Sequence, residues 1–388
     1  MRPPSLRLAV AGCGDHGRLG AGAAAGALLF RLVGGALAGE AVTAVAAGGA
    51  HTVALTGDGG VLTAGLDADG QLGRDTRASS HALFADVLLP EPAVAVAAGG
   101  AHSLALGASG RVWAWGAPPG SPTARPAAVP GLRNVTAIAA GARHCLAVGA
   151  GGRVHSWGDG GSGALGHAGP AWRAAEPVPR LIRTLTGADI VAVAAGGDRS
   201  AAVDASGGAW LWGAAESGRA RRDAPPARLR GLPSITALAL SRAHALALRV
   251  GGRVVSFGDV GDHGALGVGD REKGSSVDPD SPYHTLPEPL DAVAVSAGWM
   301  HSASVDAAGG LWAWGWGGAP GTAGPLQNDD ASGGGQLGAG DELDRRAPAR
   351  VAALLDDDGV TRLPGGSWRA VAVSCGWNHT AAIVEVGE

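Results

Sequence analysis

Short runs of alternating apolar residues recur along this chain, and glycine punctuates them. Val94-Ala95-Val96 and Val293-Ala294-Val295 open two such runs. After a glycine-rich turn, a second run places apolar side chains at every other position: Val53/Leu55, Leu104/Leu106, Leu146/Val148, Ala201/Val203, Leu246/Leu248, Ala303/Val305 and Ala381/Ile383. A period of two predicts a strand with one buried face. Polar, glycine-bearing turns such as Gly57-Asp58-Gly59-Gly60 and Ala108-Ser109-Gly110 then reverse the chain. A third run ends in an aromatic residue and glycine, at Trp115-Gly116, Trp157-Gly158, Trp212-Gly213, Phe257-Gly258 and Trp314-Gly315. The pattern predicts small antiparallel sheets throughout.

Spacing within each unit is fixed. Gly48 pairs with Gly65, Gly99 with Gly116, Gly141 with Gly158, Gly196 with Gly213 and Gly298 with Gly315, always 17 residues apart; Ser241 replaces the first glycine in the pair ending at Gly258. Three residues after the first position stands a histidine (His51, His102, His144, His244, His301, His379), with Arg199 as the exception. A rigid offset inside units of variable separation marks a repeat fold. The anchors at 48, 99, 141, 196, 241, 298 and 376 count seven units.

A loop ending in Leu-Gly follows the third run at Leu72-Gly73, Leu165-Gly166, Leu266-Gly267 and Leu337-Gly338; units two and four carry Pro-rich or Arg-rich segments instead. The last unit stops soon after its second strand. Its missing strand and loop lie at the other end of the chain, as Leu6 to Gly12 and Asp15-His16-Gly17-Arg18-Leu19-Gly20. The expected fold is therefore an all-β, seven-bladed β-propeller of four-stranded antiparallel blades, closed by pairing N- and C-terminal strands. It is read as one domain over residues 1–388, with about 6–20 completing the blade begun at about 370–386. Closure protects sheet edges that an open solenoid would cover with capping repeats. Ala21 to Leu37 reads as an inter-repeat loop.

Composition narrows the classes. The net charge is −4 with no basic tail, which gives no strong nucleic-acid signal. No apolar run is long enough for a membrane span. Cys13, Cys145 and Cys375 match neither a metal spacing nor a disulfide framework. Repeat sequence begins by about Leu6, which leaves no room for a signal or transit peptide. An intracellular protein, cytoplasmic and/or nuclear, is expected.

Catalytic signatures dissolve into the repeat. Gly12-Cys13-Gly14-Asp15-His16-Gly17 fits G-x-G-x-x-G, but the same loop recurs from Gly158 to Gly166 and from Gly258 to Gly267. The one lysine, Lys273, lies in no phosphate-binding loop. The six anchor histidines sit on different blades, so they are assigned to tight turns rather than to a metal. No cofactor and no metal are expected.

The two variable residues inside each anchor turn should open on one face of the disc. Most are small; Arg143, Asp198, Arg242, Trp299, Met300, Trp377 and Asn378 are not. Exposed Trp, Met and Arg are the composition of a binding hot spot, so these seven form the expected partner-binding face. Arg219, Arg221 and Arg222 offer a basic docking loop. The longest interval, from anchor 298 to anchor 376, holds insertions over 317–335 and 355–368, including Asp356-Asp357-Asp358.

The composite A-G-x-x-H, strand, turn, strand, W-G-x-x-x-x-G-x-L-G resembles the repeat of the regulator of chromosome condensation family over nearly the whole chain. WD repeats place Trp-Asp at the strand end, and kelch repeats lack the fixed histidine. Val373-Ser374-Cys375-Gly376-Trp377-Asn378-His379-Thr380 is similar to plant and algal members in particular. The residues alone imply a non-catalytic platform for a protein partner. The resemblance implies two alternatives. One is nucleotide exchange on a Ran-like small GTPase, which uses acidic and histidine residues on the turn face and a wedge insertion; Asp198 is the only acid in these turns. The other is UV-B reception, which uses G-W-R-H-T motifs on neighbouring blades. Trp299 and Trp377 fit that motif, whereas Met300 and Asn378 stand in the arginine positions and Ser241-Arg242-Ala243-His244 has no tryptophan.

Overall fold

A computed structural model describes residues 5–74, 78–117, 123–167, 175–213, 225–258, 263–269, 283–289, 291–319 and 334–387. Seven antiparallel sheets make up the described chain. The first blade runs Val42–Ala47, His51–Thr56, Val61–Leu66 and Ser80–Val87. Five further blades repeat that order. The seventh joins Trp368–Cys375 and His379–Val386 to Ser5–Gly12 and Ala27–Leu32, with Leu354–Leu355 added in parallel at the outer edge. Ser5–Gly12 pairs with His379–Val386 along its whole length, so the two ends of the chain close the ring as expected.

Two expectations change. Ala21 to Leu37 is not merely a loop: Ala27–Leu32 is the fourth strand of the seventh blade, and it buries Phe30 and Leu32. The second strand of each blade also buries both faces rather than one. Val53 and Leu55 pack toward the second blade, while Ala54 packs toward the seventh. Ala105, Ala147, Ala202, Ala247 and Ala382 repeat that small-side choice. Successive sheets are stacked face to face, so large side chains of one blade fill space left by alanines of the next, as close packing requires.

The blades are also joined by directional bonds. His51 Nε2 lies 2.9 Å from Ser103 Oγ of the next blade, and Ser103 Oγ donates to Gln71 O at 2.9 Å. The same chain runs His144–Ser200–Ala164 O, His244–Ser302–Ala265 O, His301–Thr380–Gln336 O and His379–Thr52–Arg18 O. The accepting carbonyl always precedes the leucine of a Leu-Gly loop. Because each hydroxyl donates to that carbonyl, it accepts from an Nε2–H, which sets the tautomer. Nδ1 then faces the anchor turn. The histidines therefore latch one blade to the next instead of only holding their own turn.

Tryptophan adds a second strut. Trp115, Trp212 and Trp314 donate Nε1–H to Gln71 O, Ala164 O and Ala265 O at 2.8–2.9 Å. Trp314→Phe keeps an aromatic ring but leaves Ala265 O short of one donor. We expect a loss of about 1–2 kcal/mol in urea unfolding. A loss below about 0.3 kcal/mol would show that the strut carries no net stability.

Candidate functional site

All seven anchor turns converge on one mouth at the axis, lined by Gly48, Gly99, Gly141, Gly196, Ser241, Gly298 and Gly376 with their neighbours. Backbone bonds run between turns, from Gly49 N to Gly99 O, Ala142 N to Gly197 O, Trp299 N to Gly376 O and Trp377 N to Gly48 O. The rim is thus a preorganised scaffold.

Of the seven expected face residues, the structure brings Arg242, Trp299 and Trp377 together at the mouth. The Trp299 and Trp377 rings meet edge to face with centroids 4.8 Å apart, and the Arg242 guanidinium lies 5.2 Å from the Trp299 ring. Such stacking fixes long side chains in place and leaves their outer surfaces available. Trp377 is 40% exposed, more than any other described tryptophan. Blades one to three contribute only Gly49, Ala50, Gly100, Ala101 and Ala142 beside Arg143. The mouth therefore has one raised aromatic side and one low side.

The other four are placed differently. Arg143 is largely exposed and pairs with Asp159 at 3.3 Å. Asp198 is half-buried, and its turn abuts Arg242: a β-carbon on Gly197 would lie 2.6 Å from Arg242 Cα. Met300 and Asn378 use their carbonyls structurally, accepting from Trp316 N and Cys13 N. Arg219, Arg221 and Arg222 lie outside the described residues, as does 320–333 of the first insertion. The acidic tract of the second insertion is a tight turn held to the seventh blade. Arg31 donates to Asp357 O at 3.0 Å, and Arg7 lies 3.8 Å from the Asp357 carboxylate. Asp358 accepts from the Thr361 hydroxyl and backbone, which holds its carboxyl below the usual range.

Arg18 and Asp159 escaped the sequence reading. Arg18 is buried and donates to Gly49 O at the rim. The signal was its position directly before Leu19-Gly20, where other blades carry Gln71, Ala164, Ala265 or Gln336. Beneath the mouth, burial pushes five anchor histidines down to about 3 or 4 and His379 well below its ordinary value. They are neutral at pH 7 and locked in latches, so they are poor general acids or bases. Among the described residues no three His, Cys, Asp or Glu side chains are grouped to hold a metal ion. No described helix is long and apolar enough to cross a membrane.

Comparison with known proteins agrees with this geometry. The profile of the family described as RCC1-like domain matches residues 7–387. The chain is 30% identical over 369 residues to the Arabidopsis thaliana ultraviolet-B receptor UVR8, covering 89% of this chain and 75% of that protein. It is 34% identical over 326 residues to the Arabidopsis thaliana mitochondrial RCC1 domain-containing protein RUG3, covering 78% of this chain and 60% of the relative. Among solved structures, Saccharomyces cerevisiae Prp20p superposes with a TM-score of 0.79 at 22% identity, over 100% of this chain and 93% of that one. Human WBSCR16 gives 0.78 at 21% identity, over 98% and 99%.

Proposed function

Because the chain belongs to the RCC1-like domain family, we propose that it is a non-catalytic propeller that binds a protein partner at the axial mouth of its anchor-turn face. The supporting observation is the Arg242–Trp299–Trp377 stack, with Trp377 exposed at the rim. Aromatic and arginine side chains held rigid before binding lose little freedom on association, so a few anchors suffice. The low rim of Gly49, Ala50, Gly100 and Ala101 leaves room beside the stack for a partner's backbone.

Nucleotide exchange on a Ran-like GTPase is the second reading. The study of Prp20p concerned its binding to Gsp1p and histones, and Prp20p shares this fold. For this chain, Asp198 is the one acid in the turns that such a reading has to use. Light reception is less well supported, because Arg242 occupies the blade position where a third tryptophan is needed.

The test is affinity capture from the native organism with the wild-type protein and with Trp299→Ala/Trp377→Ala. We expect at least a tenfold loss of the captured partner while the thermal midpoint moves by only a few degrees. Undiminished capture alongside a large drop in the midpoint would assign both tryptophans to packing. Accelerated GDP release from a captured GTPase would favour the exchange reading.

A further inference from the structure

Arg18 is a cation at a place where the fold elsewhere uses neutral side chains. It directly precedes the Leu-Gly of the seventh blade's loop, and the same place holds Gln71, Ala164, Ala265 and Gln336 in the other loops of this kind. Its main chain is fixed, because Arg18 O accepts from Thr52 Oγ1 at 2.6 Å in the latch. The residue is only 6% exposed. Its guanidinium makes two bonds, both to carbonyl oxygens. Nε donates to Asp15 O at 3.0 Å and Nη1 to Gly49 O at 3.3 Å.

No carboxylate among the described residues comes within ion-pair distance of Arg18. Asp15 gives it a main-chain carbonyl, while the Asp15 carboxylate accepts from the Cys13 thiol. A buried charge without a counter-ion is costly, since main-chain dipoles replace only part of its lost hydration. Its neighbours feel that charge: His379 is held well below its ordinary value by burial first and by Arg18 second.

The guanidinium also keeps an unused edge. Nη2 donates to no protein group, and it is not sealed off from water. It shares a carbon with Nη1 and so opens beside the Gly49 turn. Trp377 packs against that same turn, where a β-carbon on Gly49 would lie 3.3 Å from Trp377 Cε2. A cationic N–H edge and the most exposed described tryptophan therefore adjoin one turn of the low rim.

We propose that Arg18 receives a carboxylate of the protein partner, from an Asp or Glu side chain presented beside the group that covers Trp377. This rests on the reading that the partner binds at the mouth. A guanidinium edge matches a carboxylate, whose single negative charge balances the one buried cation. A phosphate group brings more charge than that cation balances. The complex then supplies the counter-ion that the free protein lacks.

Two measurements test the site without a partner. Glutamine holds this place in two other blades, so Arg18→Gln removes the charge with a side chain the loop accepts. The variant should melt no more than about three degrees below the wild type, because an uncompensated buried charge contributes little net stability. A larger fall would assign Arg18 to the scaffold and overturn the proposal. The second measurement titrates the wild-type protein with sodium acetate, against sodium chloride at equal ionic strength. NMR follows the Arg18 Nε–H and Trp377 Nε1–H signals. Acetate should shift both saturably, with half-saturation below about 100 mM, and Arg18→Gln should abolish the saturable shift at Trp377. No saturable shift would overturn the carboxylate site. Inorganic phosphate that saturates at a concentration about tenfold lower or less would overturn the choice of ligand. Neither measurement needs the partner, so each can fail while the tryptophan capture experiment holds. In that capture, Arg18→Gln should lose the partner at least about tenfold, and a smaller loss would overturn the partner's carboxylate as the occupant.

Discussion

Acidification from pH 7 to pH 5 is expected to unfold this propeller. Burial lowers His51, His144, His244 and His301 to about 3 and His102 to about 4, and it lowers His379 strongly as well. In the unfolded chain each returns to about 6.5. The folded values are depressed, so between roughly pH 4 and 6.5 the unfolded state binds more protons. The stability is present in full above about 6.5 and is lost as pH falls toward the folded values. Each histidine contributes about 1.4 kcal/mol per pH unit, so six acting together contribute on the order of 8. By pH 5 the loss is on the order of 10 kcal/mol, comparable to the whole stability of a typical domain. Urea unfolding at half-unit pH steps measures it. The slope below pH 6 should correspond to several protons. A stability that stays flat from pH 7 to 5, or a slope of one proton, would show that the ring is not closed by neutral histidines.

Gly99→Ala is expected to cost roughly 3 kcal/mol or more, at the upper end of single-site overpacking. The reason is contact rather than backbone angle. A β-carbon there would lie 2.3 Å from His102 Cε1 and 2.6 Å from Gly141 O of the next blade. Neither neighbour is free to move, because one is a latch and the other is the adjoining anchor. Gly298 and Gly376 face the same crowding from His301 and His379. Ser241 shows how the site accepts a side chain: its hydroxyl lies 2.8 Å from His244 Nδ1 and partners the nitrogen that the glycine blades leave facing the turn. Gly365→Ala is the control, since nothing lies within 4 Å of its added carbon. Thermal unfolding of both variants compares them; similar midpoints would remove the steric explanation for the anchor glycine.

The ring and its blade count were legible because strand periodicity and the fixed histidine offset are properties within a blade. The latch was not, because it joins residues of different repeats. His51 and Ser103 lie 52 positions apart, and nothing in either repeat alone names the other. A signal was nevertheless present in the residue after each histidine position (Arg199 in the fourth unit), which is a hydroxyl only when the preceding unit ends in Leu-Gly. The face was legible as a set of turn positions. That Arg242, Trp299 and Trp377 converge while Arg143 turns out to Asp159 depends on side-chain reach across turns. The strand Ala27–Leu32 was missed because Ala and Gly dominate the stretch before it, and its buried pair, Phe30 and Leu32, is too short a pattern to stand out.

The pairing of Ser5–Gly12 with His379–Val386 has a consequence for biosynthesis. The strand that leaves the ribosome early waits for one that leaves much later. Contacts this distant in sequence are slow to form, and joining such distant segments is entropically costly unless the blades between them have already brought them near. Throughout elongation the nascent chain therefore presents two unpaired strand edges, each able to recruit the matching strand from a neighbouring ribosome on the same message. Dense polysomes should favour exchanged, interlocked products, and sparse ones should favour rings closed within a single chain.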